Sequence, residues 1–231
     1  MTDYDEFSAT LGISPEAKMG IHRREKNSFR GISTRTSLRA LVAQAVNQDF
    51  LDEICELSAL EDLALEWPTT ATSLEGLTRL SGLRRLRIDS PRNITDFTPL
   101  TRLPNLVFLD IENAKHLYDL RWLMPLKGRL QTLRLDGSIN TTQKLASLDP
   151  LDGFAFEKLS LVNTSVADKD LSPLITCRQL KDLSCAKSVS TFEGFMALAD
   201  ARPDLRCQWF DPDLWPGRKF RGGPARRNGT G

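Results

Sequence analysis

The chain has no surplus of one charge: its 231 residues carry 31 Lys and Arg against 30 Asp and Glu, a formal net charge of +1. No global field therefore draws it to nucleic acid or to an anionic membrane. Histidine is scarce, with only His22 and His116. The four cysteines, Cys55, Cys177, Cys185 and Cys207, show no C-x-x-C spacing, so no metal site is expected. No stretch approaches the roughly 18 apolar residues of a membrane span. The acidic start, Met1 to Glu6, leads into no apolar run, which argues against a secretory signal and for a cytoplasmic protein. Also missing are a nucleophile elbow, a phosphate loop and a clustered Cys/His pair, so the expectation is a non-enzyme without cofactors.

What the chain does have is a recurring apolar triplet. It runs Leu60, Leu63, Leu65; Leu83, Leu86, Ile88; Leu106, Leu109, Ile111; Leu130, Leu133, Leu135; Phe156, Leu159, Leu161; and Leu180, Leu183, Cys185. The first positions advance by 23, 23, 24, 26 and 24 residues, and a degraded copy from Leu205 to Phe210 follows after 25 more. A fixed period of this length is the signature of a leucine-rich repeat. Each triplet reads as a short strand with its anchors pointing inward and the residues between them outward.

The segments between triplets carry anchors of their own, such as Leu74, Leu77 and Leu80, at spacings of three and four that suit single helical or 3₁₀ turns. Pro99, Pro104, Pro150, Pro173 and Pro203 argue against long helices there. Strands lie about 4.8 Å apart whereas helical turns need about 10 Å, so the sheet must be the inner wall of an arc. The expected fold class is an α/β leucine-rich repeat solenoid, with a concave parallel sheet and short helices or 3₁₀ turns on the convex side.

The stretch from Ile94 to Ile111, with Asp96, Pro99, Leu100, Leu103 and Leu106 in it, resembles the internalin-type bacterial leucine-rich repeat. Residues 170–180 repeat the resemblance, which covers about residues 50–210. It implies a protein-binding role. In that family an Asn three residues beyond the last strand anchor usually builds a ladder along the turn; here the positions are Pro68, Pro91, Ala114, Ser138, Thr164 and Ser188. Ser and Thr can satisfy buried backbone groups and Pro and Ala cannot, so a less regular turn is expected in the first three repeats.

Four regions are expected: a loosely ordered, polar, basic segment over 1–35; a capping helix over 36–49; the solenoid over 50–211; and a closure with a basic, disordered tail over 212–231. The capping helix rests on Leu38, Leu41, Val42, Ala45 and Val46, spaced as one helical face. Ser14-Pro15-Glu16 reads as a helix start. Leu214 and Trp215 would cover the last repeat. Residues 1–39 and 216–231 hold 12 basic and 5 acidic side chains, against 19 and 25 for 40–215, so the repeat body is acidic between basic ends.

The interleaved side chains form three columns on the concave sheet. Candidate partner-binding residues are Arg85, Arg87, Phe108, Asp110, Glu112, Arg134 and Asp136, with Trp67 beside the first strand. Two readings stand: a solvated face of cross-strand ion pairs, or a binding patch centred on Arg87, Phe108, Asp110 and Arg134, since aromatics and Arg are the usual anchors. Adjacent carboxylates repel, and Arg85, Arg87 and Arg134 lie close enough to offset them. Trp122, Trp209, Met124 and Met196 read as packing residues, and Cys185 as a small hydrophobe in a leucine's place. The function expected is a non-catalytic interaction module with a protein partner, monomeric by itself and with no membrane span. The alternative is a nucleic-acid or anionic-surface adaptor acting through the basic ends.

Overall fold

Alternation along each triplet builds the inner wall. In the computed structural model, which describes residues 11–25 and 28–215, eight parallel strands form one open sheet: β1 (Lys18–Ile21), β2 (Ala40–Val46), β3 (Asp62–Thr69), β4 (Arg85–Asp89), β5 (Phe108–Glu112), β6 (Thr132–Asp136), β8 (Lys158–Leu161) and β10 (Asp182–Cys185). Leu41, Leu63, Leu86, Leu109, Leu133, Leu159 and Leu183 stand in register across it, and each is buried. Short 3₁₀ turns, among them Glu75–Arg79, Thr98–Arg102, Arg121–Leu126 and Ser172–Thr176, return the chain over the outer side. Pro99 and Pro173 sit at their starts, where a missing N–H costs nothing. This is a leucine-rich repeat solenoid, with the sheet concave and the turns convex.

The segment expected to be a capping helix is instead β2, and its repeat has a copy before it. Leu38, Leu41 and Ala43 occupy the triplet positions of Leu60, Leu63 and Leu65, which lie 22 residues further on. A spacing of three belongs equally to a helix face and to the first two triplet positions, and the pairing edge of β3 decided between them. The helix comes later, as α1 (Gln48–Ile54), capped by the Asn47 side chain accepting from Phe50 N–H. The described part of the polar N-terminal segment is also more ordered than expected. After a 3₁₀ turn over Pro15–Ala17, β1 pairs with β2, Met19 beside Leu41 and Ile21 beside Ala43. Residues 1–10 and the basic tail 216–231 lie outside the described residues.

At the turn positions the substitutes for asparagine are visible. Thr164 Oγ1 donates to the Leu135 carbonyl at 2.8 Å, and Ser188 Oγ to the Thr164 carbonyl at 2.8 Å. Ala114 offers no such group. Buried Gln143, in the small outer strand β7 (Gln143–Leu145) that pairs with β9 (Thr164–Val166), acts for it: Oε1 accepts from Ala114 N–H at 2.9 Å and Nε2 donates to the Leu117 carbonyl at 2.6 Å. Ser90, Asn113 and Asn163, at equivalent places just past their strands, adopt left-handed backbone with φ of 52, 54 and 50°.

At the far end, α2 (Phe192–Ala201), capped by Thr191, lies behind the last return turn. Arg202 is buried there, donating to the carbonyls of Cys177 and Leu180 at 2.7 Å each. Trp215 closes the stack against Phe192, Phe195 and Trp209, with ring centroids 5.4–5.9 Å apart. Leu214, expected to join that cover, is exposed, as is Met124, expected in the core.

Candidate functional site

Strand register aligns the outward side chains. The first column runs Lys18, Ala40, Asp62, Arg85, Phe108, Thr132, Lys158, Asp182; the second includes Ala64, Arg87, Asp110, Arg134, Ser160 and Ser184; the third includes Asp89, Glu112 and Asp136. The columns thus bring together seven of the eight candidate residues, while Trp67, later in β3, stands outside them and is 57% exposed.

Their exposure differs from what the alternation suggests. Arg85 and Phe108 are 0% and 1% exposed, and Asp110 and Asp136 are buried; Arg87, Glu112 and Arg134 are half-buried. Bulk explains part of this. The Arg85 guanidinium carbon lies 5.0 Å from the Phe108 ring centre and the same group is ion-paired with Asp62, so on neighbouring strands a cation, a ring and a carboxylate cover one another. From Ala40 to Thr132 the first column is accordingly a packed layer over the sheet, while Lys18 at its edge is exposed. At its β2 end Leu11 and Ile13 are buried against Ala40.

The second and third columns form an alternating charge network. Arg87 donates to Glu112 Oε2 at 2.9 Å and has Asp110 at 3.9 Å; Arg134 holds Asp136 Oδ2 at 2.9 Å and Asp110 at 3.5 Å. Asp136 also accepts from Ser160 Oγ at 2.7 Å and Val162 N–H at 2.8 Å. The alternation places Ser160 beside Arg134 in the second column but does not mark it as a candidate; its bond to Asp136 is visible only in the structure.

Burial pushes the Asp110 carboxyl above its ordinary value, against the opposing pull of Arg134 and Arg87. Glu112 is raised as well, first by burial and then by the neighbouring Asp89 charge. A second surface lies on the convex side, where Tyr118, Leu120, Met124, Ala146 and Pro150 line an open, largely apolar hollow of about 660 Å³. Its exposed Tyr118 and Met124 fall in return segments whose orientation the triplet pattern does not determine.

The described residues hold no group of three or more His, Cys, Asp or Glu placed to bind a metal ion. No helix among them is long and apolar enough to cross a membrane.

No family model matches the sequence, and no curated protein matches it. Solved structures do match the fold. An internalin from Listeria monocytogenes superposes with a TM-score of 0.56 at 17% identity, over 75% of this chain and 55% of that one. A leucine-rich repeat protein from Leptospira interrogans gives 0.54 at 20% identity, over 66% and 38%. Internalin C2 from Listeria monocytogenes gives 0.50 at 23% identity, over 68% and 74%. The match thus spans only about half of the first of these chains and under two-fifths of the second. At these identities the likeness is one of fold: an internalin-type leucine-rich repeat.

Proposed function

We propose that this solenoid is a non-catalytic protein-interaction module whose concave face takes a protein partner. The observation that carries the reading is the ordered network Glu112–Arg87–Asp110–Arg134–Asp136 on a preformed sheet. Its side chains are held by one another before any partner arrives, so little rotamer entropy is left to lose on docking. The half-buried Arg87, Glu112 and Arg134 are the groups a partner would touch, with Asp89 and Trp67 at the margin. Asp110 and Asp136 orient them from below, and Arg85 and Phe108 form the floor. The neighbouring carboxylates Asp89 and Glu112, paired across β4 and β5, favour a partner segment that brings cationic side chains.

In the basic N-terminal segment, which the basic-end alternative would use, two arginines are engaged within the fold, while Arg23 and Arg35 are exposed. Arg24 is spent on the Ala45 carbonyl at 2.9 Å and on the Phe50 ring, and Arg30 on Glu53 at 2.5 Å.

Quantitative affinity capture from the source cells, with the wild-type chain beside Arg87→Glu/Arg134→Glu and Tyr118→Asp/Met124→Asp, tests the reading. The concave variant should lose the specific partner at least tenfold while the convex variant keeps it. The reverse pattern would move the interface to the convex hollow. Capture of RNA or DNA in place of protein, unchanged in both variants, would favour the alternative.

A further inference from the structure

Cys185 and Cys207 are brought together by two neighbouring turns of the solenoid. Cys185 ends β10; Cys207 lies just beyond Arg206, which pairs in parallel with Asp182 through Leu183 N–H to the Arg206 carbonyl (2.9 Å) and Arg206 N–H to the Lys181 carbonyl (2.8 Å). Both are free thiols, their Sγ atoms 4.0 Å apart. Cys185 is buried and Cys207 partly exposed, at the edge of an open hollow of about 510 Å³ also lined by Leu183, Ser184 and Gln208.

The environments of the two sulfurs differ in the sense that dithiol chemistry needs. The contact with Cys185, in which either sulfur can donate, and the Trp209 backbone N–H hold Cys207 below its ordinary value, while the same contact and deeper burial push Cys185 up. The other two cysteines offer a contrast. Burial pushes the Cys55 thiol up to about 12 and raises Cys177, whose thiol donates to the Leu151 carbonyl at 3.2 Å.

We propose that Cys185 and Cys207 form a hydroperoxide-responsive dithiol that closes to a disulfide across the last turn of the solenoid. The Cys207 thiolate attacks the terminal oxygen of a hydroperoxide, the O–O bond breaks, and the remaining oxygen leaves as water or an alcohol after taking a proton. Cys207 is then a sulfenic acid. The Cys185 sulfur attacks the Cys207 sulfur, the S–S bond forms, the S–O bond breaks, and the hydroxyl leaves as water with the Cys185 proton. Two thiols are oxidised by two electrons and one hydroperoxide is reduced. The sulfurs must close from 4.0 Å to about 2.05 Å. That approach requires a shift of the 3₁₀ turn after Cys207, Gln208–Phe210, which Trp209 Nε1 ties to the Cys185 carbonyl at 2.7 Å. A bond closed by such movement is readily reduced again. Its consequence is local: the closing aromatic cluster becomes covalently tied to β10. The proposal stands apart from the concave-face reading and survives its failure.

The test treats the full native chain with hydrogen peroxide and reads intact mass and non-reducing peptide maps. The expected result is a loss of about 2 Da, reversed by dithiothreitol, with Cys185 and Cys207 linked in one monomer. Cys185→Ser should leave Cys207 as a sulfenic acid trapped by dimedone, whereas Cys207→Ser should leave Cys185 a thiol. Linkage to Cys55 or Cys177, linkage between molecules, or thiols that persist while free glutathione is fully oxidised would overturn the proposal. If a variant fails to fold, the wild-type map alone decides.

Discussion

Arg85 and Phe108, neighbours across β4 and β5, share one buried layer, the guanidinium carbon 5.0 Å from the ring centre. The layer lies on the face of a sheet that alternation alone would leave open. It follows that these two side chains carry stability as well as position.

Phe108→Ala should lower unfolding stability by about 3–5 kcal/mol, the usual cost of emptying a buried aromatic site, and Phe108→Leu by much less. Urea denaturation measures both. A loss below about 1 kcal/mol for the alanine variant would mean that the ring is not packed as described.

Gln143 offers a sharper case, since one side chain satisfies two backbone groups of another repeat. Gln143→Ala leaves Ala114 N–H and the Leu117 carbonyl without their partner, and should cost about 2–4 kcal/mol. Gln143→Glu keeps an acceptor for Ala114 but faces the Leu117 carbonyl with an acceptor as well, so it should be no better than alanine at pH 7. A glutamate variant as stable as wild type would contradict the assigned bonds.

The raised carboxyl of Asp110 has a stability consequence of definite sign. A folded state that holds this proton more firmly than the unfolded chain is favoured below the ordinary carboxylate value. That advantage is lost as pH rises through the raised folded value. Asp182 and Asp204, lowered by Arg206 and Arg202, act in the opposite sense at more acidic pH, Asp204 being held at about 2. Asp110→Asn should therefore flatten the decline of stability with rising pH above the ordinary carboxylate value, read from denaturation midpoints at pH 4.5 to 7.5. An unchanged or steeper decline would place the Asp110 proton elsewhere.

The triplets made the solenoid legible because leucine anchors of one period have one way to share a core. Residues 36–49 hold a strand where a helix is expected because Leu38 and Leu41 suit a helix face and a strand triplet alike; the 22-residue step to Leu60 and Leu63 is the signal that separates the two. Columns and ion pairs followed from alternation, and Arg87, Arg134 and Asp110 meet as that predicts. Depth did not follow. Whether Phe108 or Arg85 is open depends on what packs above the sheet, and a period says nothing of that. The exposure of Tyr118 and Met124 was hidden for a related reason, because return turns have no strict alternation. The Cys185–Cys207 contact depends on the register of a degraded last repeat.

Carboxyl footprinting of the complex tests the central claim most directly. With the captured partner bound, Glu66, which pairs with Gln44 of β2 and accepts from its side chain, should lose carbodiimide labelling several-fold together with Asp89 and Glu112, while Asp168 and Asp170, exposed in the return segment before Ser172–Thr176, should label as in the free chain. Protection of the return segment with Glu66, Asp89 and Glu112 still reactive would contradict a partner seated in the trough.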